Sequence, residues 1–362
     1  MIPFAPQPPR INCQEFNNDL YVTRPALERE IREWLEQPQP QHRICSLVGP
    51  PGTGKSWVLA HMRDGNDPSC GRLYLDARDL INGEVRNQVK LNLIRTANRC
   101  CPTLKYPDTL PTLGAVIERV KEHMKRECAT NYVLLMVDGC DDFETPEEFD
   151  RIQAVLAKFF GEDTNCFRML IARRSRLTHH DLRKRDRPVQ VGVFRAQTGP
   201  DSPEDQKRKL LQLAGKEPDI IDLNSILPEG HYYQWNHPFI NCFLLTRQIN
   251  RMPLTSNALR ICCLSLANRP LAPLGEPERY PELDDAALDL LIELAAHLPE
   301  QWNEDDFEAI AQRKLHTRDL QRGTIVNIRD RNNKSIPLYS IADGLRELLK
   351  DIARMQNMEV GL

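Results

Sequence analysis

The 362 residues carry 48 basic and 51 acidic side chains, a formal charge of −3, with 41% hydrophobic and 27% charged residues. This is the composition of a globular chain of two or three domains, and it supplies no global field drawing the chain to nucleic acid or anionic lipid. No run of about eighteen apolar residues is present to span a bilayer, so no membrane partner is expected.

The opening MIPFAPQPPR lacks the basic-then-apolar order of a secretory leader. Residues 1–19 read as a proline-rich arm, either a docking peptide or a disordered terminus. In LYVTRPALEREIREWLE (20–36), Leu27, Ile31, Trp34 and Leu35 share one helical face, and QPQPQ ends that helix. Short apolar runs then alternate with helical patterns. The runs are ICSLV, RLYLD, YVLLMVD (132–138), FRMLIA (167–172) and VQVGVF (189–194), with helical stretches at 113–127 and 145–160. Strands apolar on both faces and separated by helices predict a buried parallel sheet, an α/β domain over 20–198.

The strand signal stops after TGPDSPED (198–205), and helices with proline-containing turns predict a small all-α lid over 199–282. Two further helical patterns, ALDLLIELAAHL and EDDFEAIAQ, precede TIVNI and PLYSI, which flank the polar turn RDRNNKS. Helices followed by a hairpin predict a winged helix over about 283–352, with a tail to 362. The eleven cysteines form no CxxC pair, and the doublets Cys100–Cys101 and Cys262–Cys263 are poorly spaced for zinc. Reduced thiols packed as small apolar side chains are expected, hence a reducing, cytoplasmic compartment.

Gly49-x-x-x-x-Gly54-Lys55-Ser56 matches the phosphate-loop pattern, between a strand-like run and a helix. Gly49, Gly52 and Gly54 allow backbone amides to turn inward at φ values other residues resist. Those amides and the helix N-terminus would cradle the phosphates. Lys55 adds a mobile charge and Ser56 a hydroxyl for Mg2+. Thr53 and Trp57, inside and just after the loop, are expected to touch the nucleotide as well. Asp138 ends a buried strand and would hold magnesium's water shell. Asp141 or Asp142 would orient the attacking water. After FRMLIA come Arg173, Arg174 and Arg176, and Arg174 is the expected γ-phosphate sensor, the alternative for all three being a solvated cluster.

The phosphate loop with LLMVDGCDD resembles the STAND class of P-loop signal-transduction ATPases, the group holding NACHT and NB-ARC domains. Gly139 follows Asp138 as in that class, where general AAA+ ATPases place a glutamate. The third strand of the class ends Thr-Ser-Arg, and Ala172-Arg173-Arg174 matches at the arginine. YVTRPALEREI resembles the leading Val-Gly-Arg motif beside the adenine, through Val22 and Arg24, with Thr23 in place of glycine and Pro25 in place of the first acid. NHPFINCFLL resembles the Gly-x-Pro motif, with Pro238 as the nucleotide-packing proline and Asn236 for the glycine. Where immune members carry Met-His-Asp, this chain has Ile341-Ala342-Asp343, so the histidine that touches the ADP phosphate is missing.

The resemblance implies a switch that binds ATP or ADP with Mg2+, hydrolyses slowly, opens its domains and self-assembles in signalling or defence. Its effector and sensor would be separate proteins, or else the chain is a fragment. The rival is an initiator-like AAA+ ATPase that uses the winged helix on DNA. Glu304, Asp305, Asp306 and Glu308 speak against DNA there by repelling phosphates. The most basic stretch, RLTHHDLRKRDR (176–187), reads as a solvated loop between strands, and His179–His180 lack partners for a metal.

Overall fold

A computed structural model describes residues 18–38, 40–49, 52–63, 70–81, 86–102, 112–128, 131–140, 146–160, 166–173, 177–192, 194–196, 199–213, 237–249, 255–267, 285–299, 302–311, 325–328, 338–341 and 345–360. Five parallel strands form the central sheet: β1 (Ile44–Val48), β2 (Cys70–Asp76), β3 (Tyr132–Asp138), β4 (Phe167–Arg173) and β5 (Asp186–Gln190). Their order is β2-β3-β4-β1-β5. The chain therefore leaves β1, crosses two strands to reach β2, and returns stepwise, while β5 joins on β1's other side. In open parallel sheets the carboxyl ends at such a reversal form the ligand crevice.

Two layers of helices cover the sheet. On one face lie α1 (Pro25–Glu36) and α2 (Lys55–Arg63); Leu27, Ile31, Trp34, Val58 and Leu59 pack there on Cys45, Leu47, Leu134, Met136 and Leu170. On the other lie α3 (Arg86–Cys100), α4 (Leu113–Glu127) and α5 (Pro146–Ala157), whose Leu93, Ile117 and Ile152 meet Val133, Leu135, Val137 and Ile171. Even and odd positions of β3 thus feed different cores, which is why YVLLMVD reads as apolar without alternation.

Local chemistry sets the element ends. Pro25 opens α1 with its φ already helical, and Glu28 Oε1 accepts the Arg24 amide at 2.8 Å. Thr112 caps α4 by accepting from Ala115 N. At the far end of α1, the buried Arg168 guanidinium donates to the carbonyls of Leu35, Gln37 and Pro38 and lies 4.0 Å from the Tyr132 ring centroid.

Three features depart from the expected pattern. β5 starts at Asp186 rather than Val189, because the Asp186 carboxylate is held by Arg173 Nη2 at 2.8 Å and by Ser46 Oγ. Pro188 is tolerated because β5 is an edge strand among the described residues. The basic stretch expected as a loop contains α6 (His180–Arg185), anchored by the buried Leu182. Finally, Cys101 and Cys128 form a disulfide, Cα–Cα 5.9 Å, tying the end of α3 to the end of α4. This corrects the expectation of uniformly reduced cysteines: the two helices end side by side, a proximity the chain spacing hides. It also removes the ground on which cysteine usage argued for a reducing compartment. Cys45, Cys100, Cys262 and Cys263 are free and buried, and burial pushes the Cys45 thiol up to about 12. No helix among the described residues is long and apolar enough to cross a membrane.

Beyond the sheet lie α7 (Pro203–Leu213), α8 (Pro238–Ile249), α9 (Ser256–Ala267), α10 (Asp285–His297), α11 (Glu304–Ala311) and α12 (Leu345–Val360). The antiparallel pair β6 (Ile325–Ile328) and β7 (Leu338–Ile341) lies between α11 and α12. One apolar core runs through α8, α9, α10, α11, β7 and α12, around Leu259, Leu288, Trp302, Phe307 and Leu349. A smaller one joins Leu20, Leu210, Leu211, Cys242 and Leu245 and meets Trp57 of α2.

Candidate functional site

The turn between β1 and α2 occupies the crevice position. Gly52 and Gly54 adopt φ 74° and 89°, the left-handed backbone that only glycine enters cheaply. Gly49 is glycine for another reason: a Cβ there would stand 1.9 Å from the Val191 carbonyl oxygen. Its amide bonds Arg173 O at 3.3 Å, so the turn is held against both β4 and the segment after β5. Thr53 is fully buried. Lys55 Nζ donates to Gly49 O at 2.7 Å, folding the ammonium back over its own turn. Ser56 is half-buried in the first turn of α2, where helix amides lack intrahelical acceptors and the dipole is positive.

Asp138 stands at the carboxyl end of β3. β3 is offset from β1 by one strand, β4, and its Met136 packs in the core beneath α2. Two residues on, the Asp138 side chain leaves the same face, towards α2. Its Oδ1 accepts the Gly139 amide at 3.0 Å and its Oδ2 the Tyr74 hydroxyl at 2.8 Å. No group of three or more His, Cys, Asp or Glu residues suited to a metal occurs among the described residues. Asp138 and Ser56 offer one carboxylate and one hydroxyl, a sparse donor set of the kind that suits Mg2+, which keeps most of its waters. Arg173, the first of the β4-tip arginines, is committed to Asp186. Arg174, Arg176, Asp141, Asp142, Asn236, Ala342 and Asp343 lie outside the described residues.

Beside the turn is a cavity lined by Val22, Arg24, Gly52, Gly54, Trp57 and Pro238. These residues come from three distant parts of the sequence, and each was expected to touch nucleotide. Leu20, Tyr21, Phe194, Gln206, Phe239 and Cys242 complete the walls. Tyr21 and Phe239 adjoin the motifs and Phe194 ends the apolar run after β5, but nothing in the sequence marks Gln206. Its Nε2 donates to Pro238 O at 3.0 Å and its Oε1 accepts from Asn241 Nδ2 at 2.7 Å. The α7–α8 joint thereby fixes the position of Pro238.

Arg24 is buried in this wall. It donates to Gly192 O at 3.0 Å, lies 5.3 Å from the Phe194 ring centroid, and approaches Asp201 Oδ1 to 3.5 Å. Burial pulls its pKa down, with Asp201 opposing. Burial likewise raises the Asp201 carboxyl, with Arg24 opposing. Asp201 takes a left-handed backbone, φ 59°, and its amide bonds Thr23 O at 2.9 Å. The segment ahead of α1 is thus pinned to the turn ahead of α7. Aromatic and apolar side chains thus stand beside the glycine turn.

No protein-family model and no curated protein matches the sequence. Among solved structures, one described as "Structure of Drosophila ORC bound to DNA" is similar, with a TM-score of 0.40 and 14% identity, covering 93% of this chain and 96% of that chain. A likeness that distant assigns no activity. The chain's own parallel five-stranded sheet with flanking helices fits a P-loop NTPase fold.

Proposed function

We propose that this protein is an ATP-binding, slowly hydrolysing molecular switch. The observation that carries the reading is the convergence of Val22, Arg24, Gly52, Gly54, Trp57 and Pro238 on one cavity at the mouth of the glycine turn. The base would lie against Val22, Trp57 and Pro238. The amides from Gly49 to Ser56 and the Lys55 ammonium would take the phosphates. Ser56 and Asp138 would hold Mg2+, which supplies neutralising charge on the β- and γ-oxygens when bound. Asp141 or Asp142 would position water, and Arg174 would report the third phosphate. Three modules divide the work: a nucleotide domain at 20–198, a lid at 199–282 and a winged helix from 283. A differential affinity of only a few kcal/mol between ATP and ADP forms shifts such a two-state arrangement. The ATP form would expose a surface for self-assembly.

Calorimetry and light scattering with Mg–ATP, Mg–ADP and a non-hydrolysable ATP analogue test this. Wild-type protein should bind both nucleotides and change its mass with the triphosphate only. Lys55→Ala should weaken binding about 10- to 100-fold, the worth of a charge-assisted contact, and abolish assembly. Absence of binding heat in the wild type, or undiminished assembly by Lys55→Ala, would overturn the reading.

A further inference from the structure

We propose that Tyr74 is a positioning residue that holds the Asp138 carboxylate in the orientation from which it serves the nucleotide's Mg2+; the inference rests on the nucleotide reading above. Tyr74 lies on β2, an edge strand among the described residues. Parallel register pairs Tyr74 with Met136 and Asp76 with Asp138, so all four side chains leave the face that α2 covers. To reach the end of β3 the phenol must lean diagonally along the sheet. It does, and its hydroxyl donates to Asp138 Oδ2 at 2.8 Å.

The ring is only partly covered. Tyr74 is 37% exposed, one of two large hydrophobic side chains so exposed among the described residues. A phenylalanine or valine would suit an edge strand as well, so the hydroxyl is the part of this side chain with a specific job. Asp76 is the cross-strand neighbour of Asp138. Burial and the two carboxylates push the Tyr74 pKa up, so the phenol stays a donor at neutral pH. With Oδ1 bonded to the Gly139 amide and Oδ2 to the phenol, the carboxylate has one fixed rotamer, and each oxygen retains an acceptor site for a metal-bound water. The same division between ligand and orienting donor recurs in metal sites generally.

Tyr74→Phe removes only the hydroxyl. The test titrates Mg2+ into full-length protein with a fluorescent ATP analogue, beside the same measurement in EDTA. Wild type should bind more tightly as Mg2+ rises. Tyr74→Phe should need about tenfold more Mg2+ to reach its midpoint, while its affinity in EDTA and its melting temperature without nucleotide stay unchanged. Asp138→Asn should lose the Mg2+ dependence altogether. An unshifted midpoint in Tyr74→Phe beside a Mg2+-responsive wild type overturns this inference alone. Equal losses with Mg2+ and in EDTA also overturn it, because they mark a merely structural tyrosine. Wild-type protein that binds no nucleotide in either condition overturns the proposed function and this inference with it.

Discussion

Gly49 and Gly54 are glycine for opposite reasons, and alanine at each should report the difference. At Gly54 a Cβ meets nothing within 4 Å, but φ is 89°, so Gly54→Ala suffers only backbone strain, about 1–2 kcal/mol. At Gly49 the Cβ would stand 1.9 Å from the Val191 carbonyl, and backbone must move. Gly49→Ala should therefore cost more, about 3 kcal/mol, in urea denaturation without nucleotide. The reverse ranking would mean that the Val191 contact is soft. The spacing of the two glycines is legible in the sequence; the reason for the first is not, because it depends on a carbonyl beyond β5. Arg173 shows the same limit. In the sequence it is one of three arginines at the strand tip, of which Arg174 is the expected sensor, and only the strand order, which sets β1 between β4 and β5, hands Arg173 to Asp186.

Elements whose signals are local were readable nearly to the residue. Helix α4 spans 113–127 as expected, because its cap Thr112 and its apolar spacing at Leu113, Val116, Ile117 and Val120 lie in one stretch. Helix α6 was not readable: six residues rich in charge hold a helix through one buried contact, Leu182. Helix α1 lies between these cases. Its apolar face is evident, but the anchor of its last turn, Arg168, belongs to β4. That guanidinium satisfies three carbonyls near the helix end, which otherwise lack intrahelical donors. Arg168→Met keeps the length and removes the donors, and should lower stability by about 2–3 kcal/mol in urea denaturation. A change within about 0.5 kcal/mol, the range of ordinary surface substitutions, would show that water replaces the arginine at no cost.

Across the whole molecule the apolar cores divide into two groups: two flank the sheet, and one runs from α8 to α12. A small core of Leu20, Leu210, Leu211, Cys242 and Leu245 lies between them. Trp57 touches both that linking core and the one beneath α2, and it also lines the cavity. The position directly after Lys55-Ser56 therefore connects the glycine turn to the helical half of the chain, one path by which a nucleotide-driven change would reach it. Trp57→Ala should weaken this joint by about 2 kcal/mol, below the cost of a fully buried tryptophan because Trp57 is half-buried. If the joint is what makes the halves unfold together, calorimetric melting should change from one transition to two, with the helical half melting first. Trp57→Phe, which restores an aromatic contact, should return a single transition. One cooperative transition in Trp57→Ala, merely shifted to lower temperature, would mean that contacts other than Trp57 couple the halves. Nucleotide would then need another route from the turn to the helices.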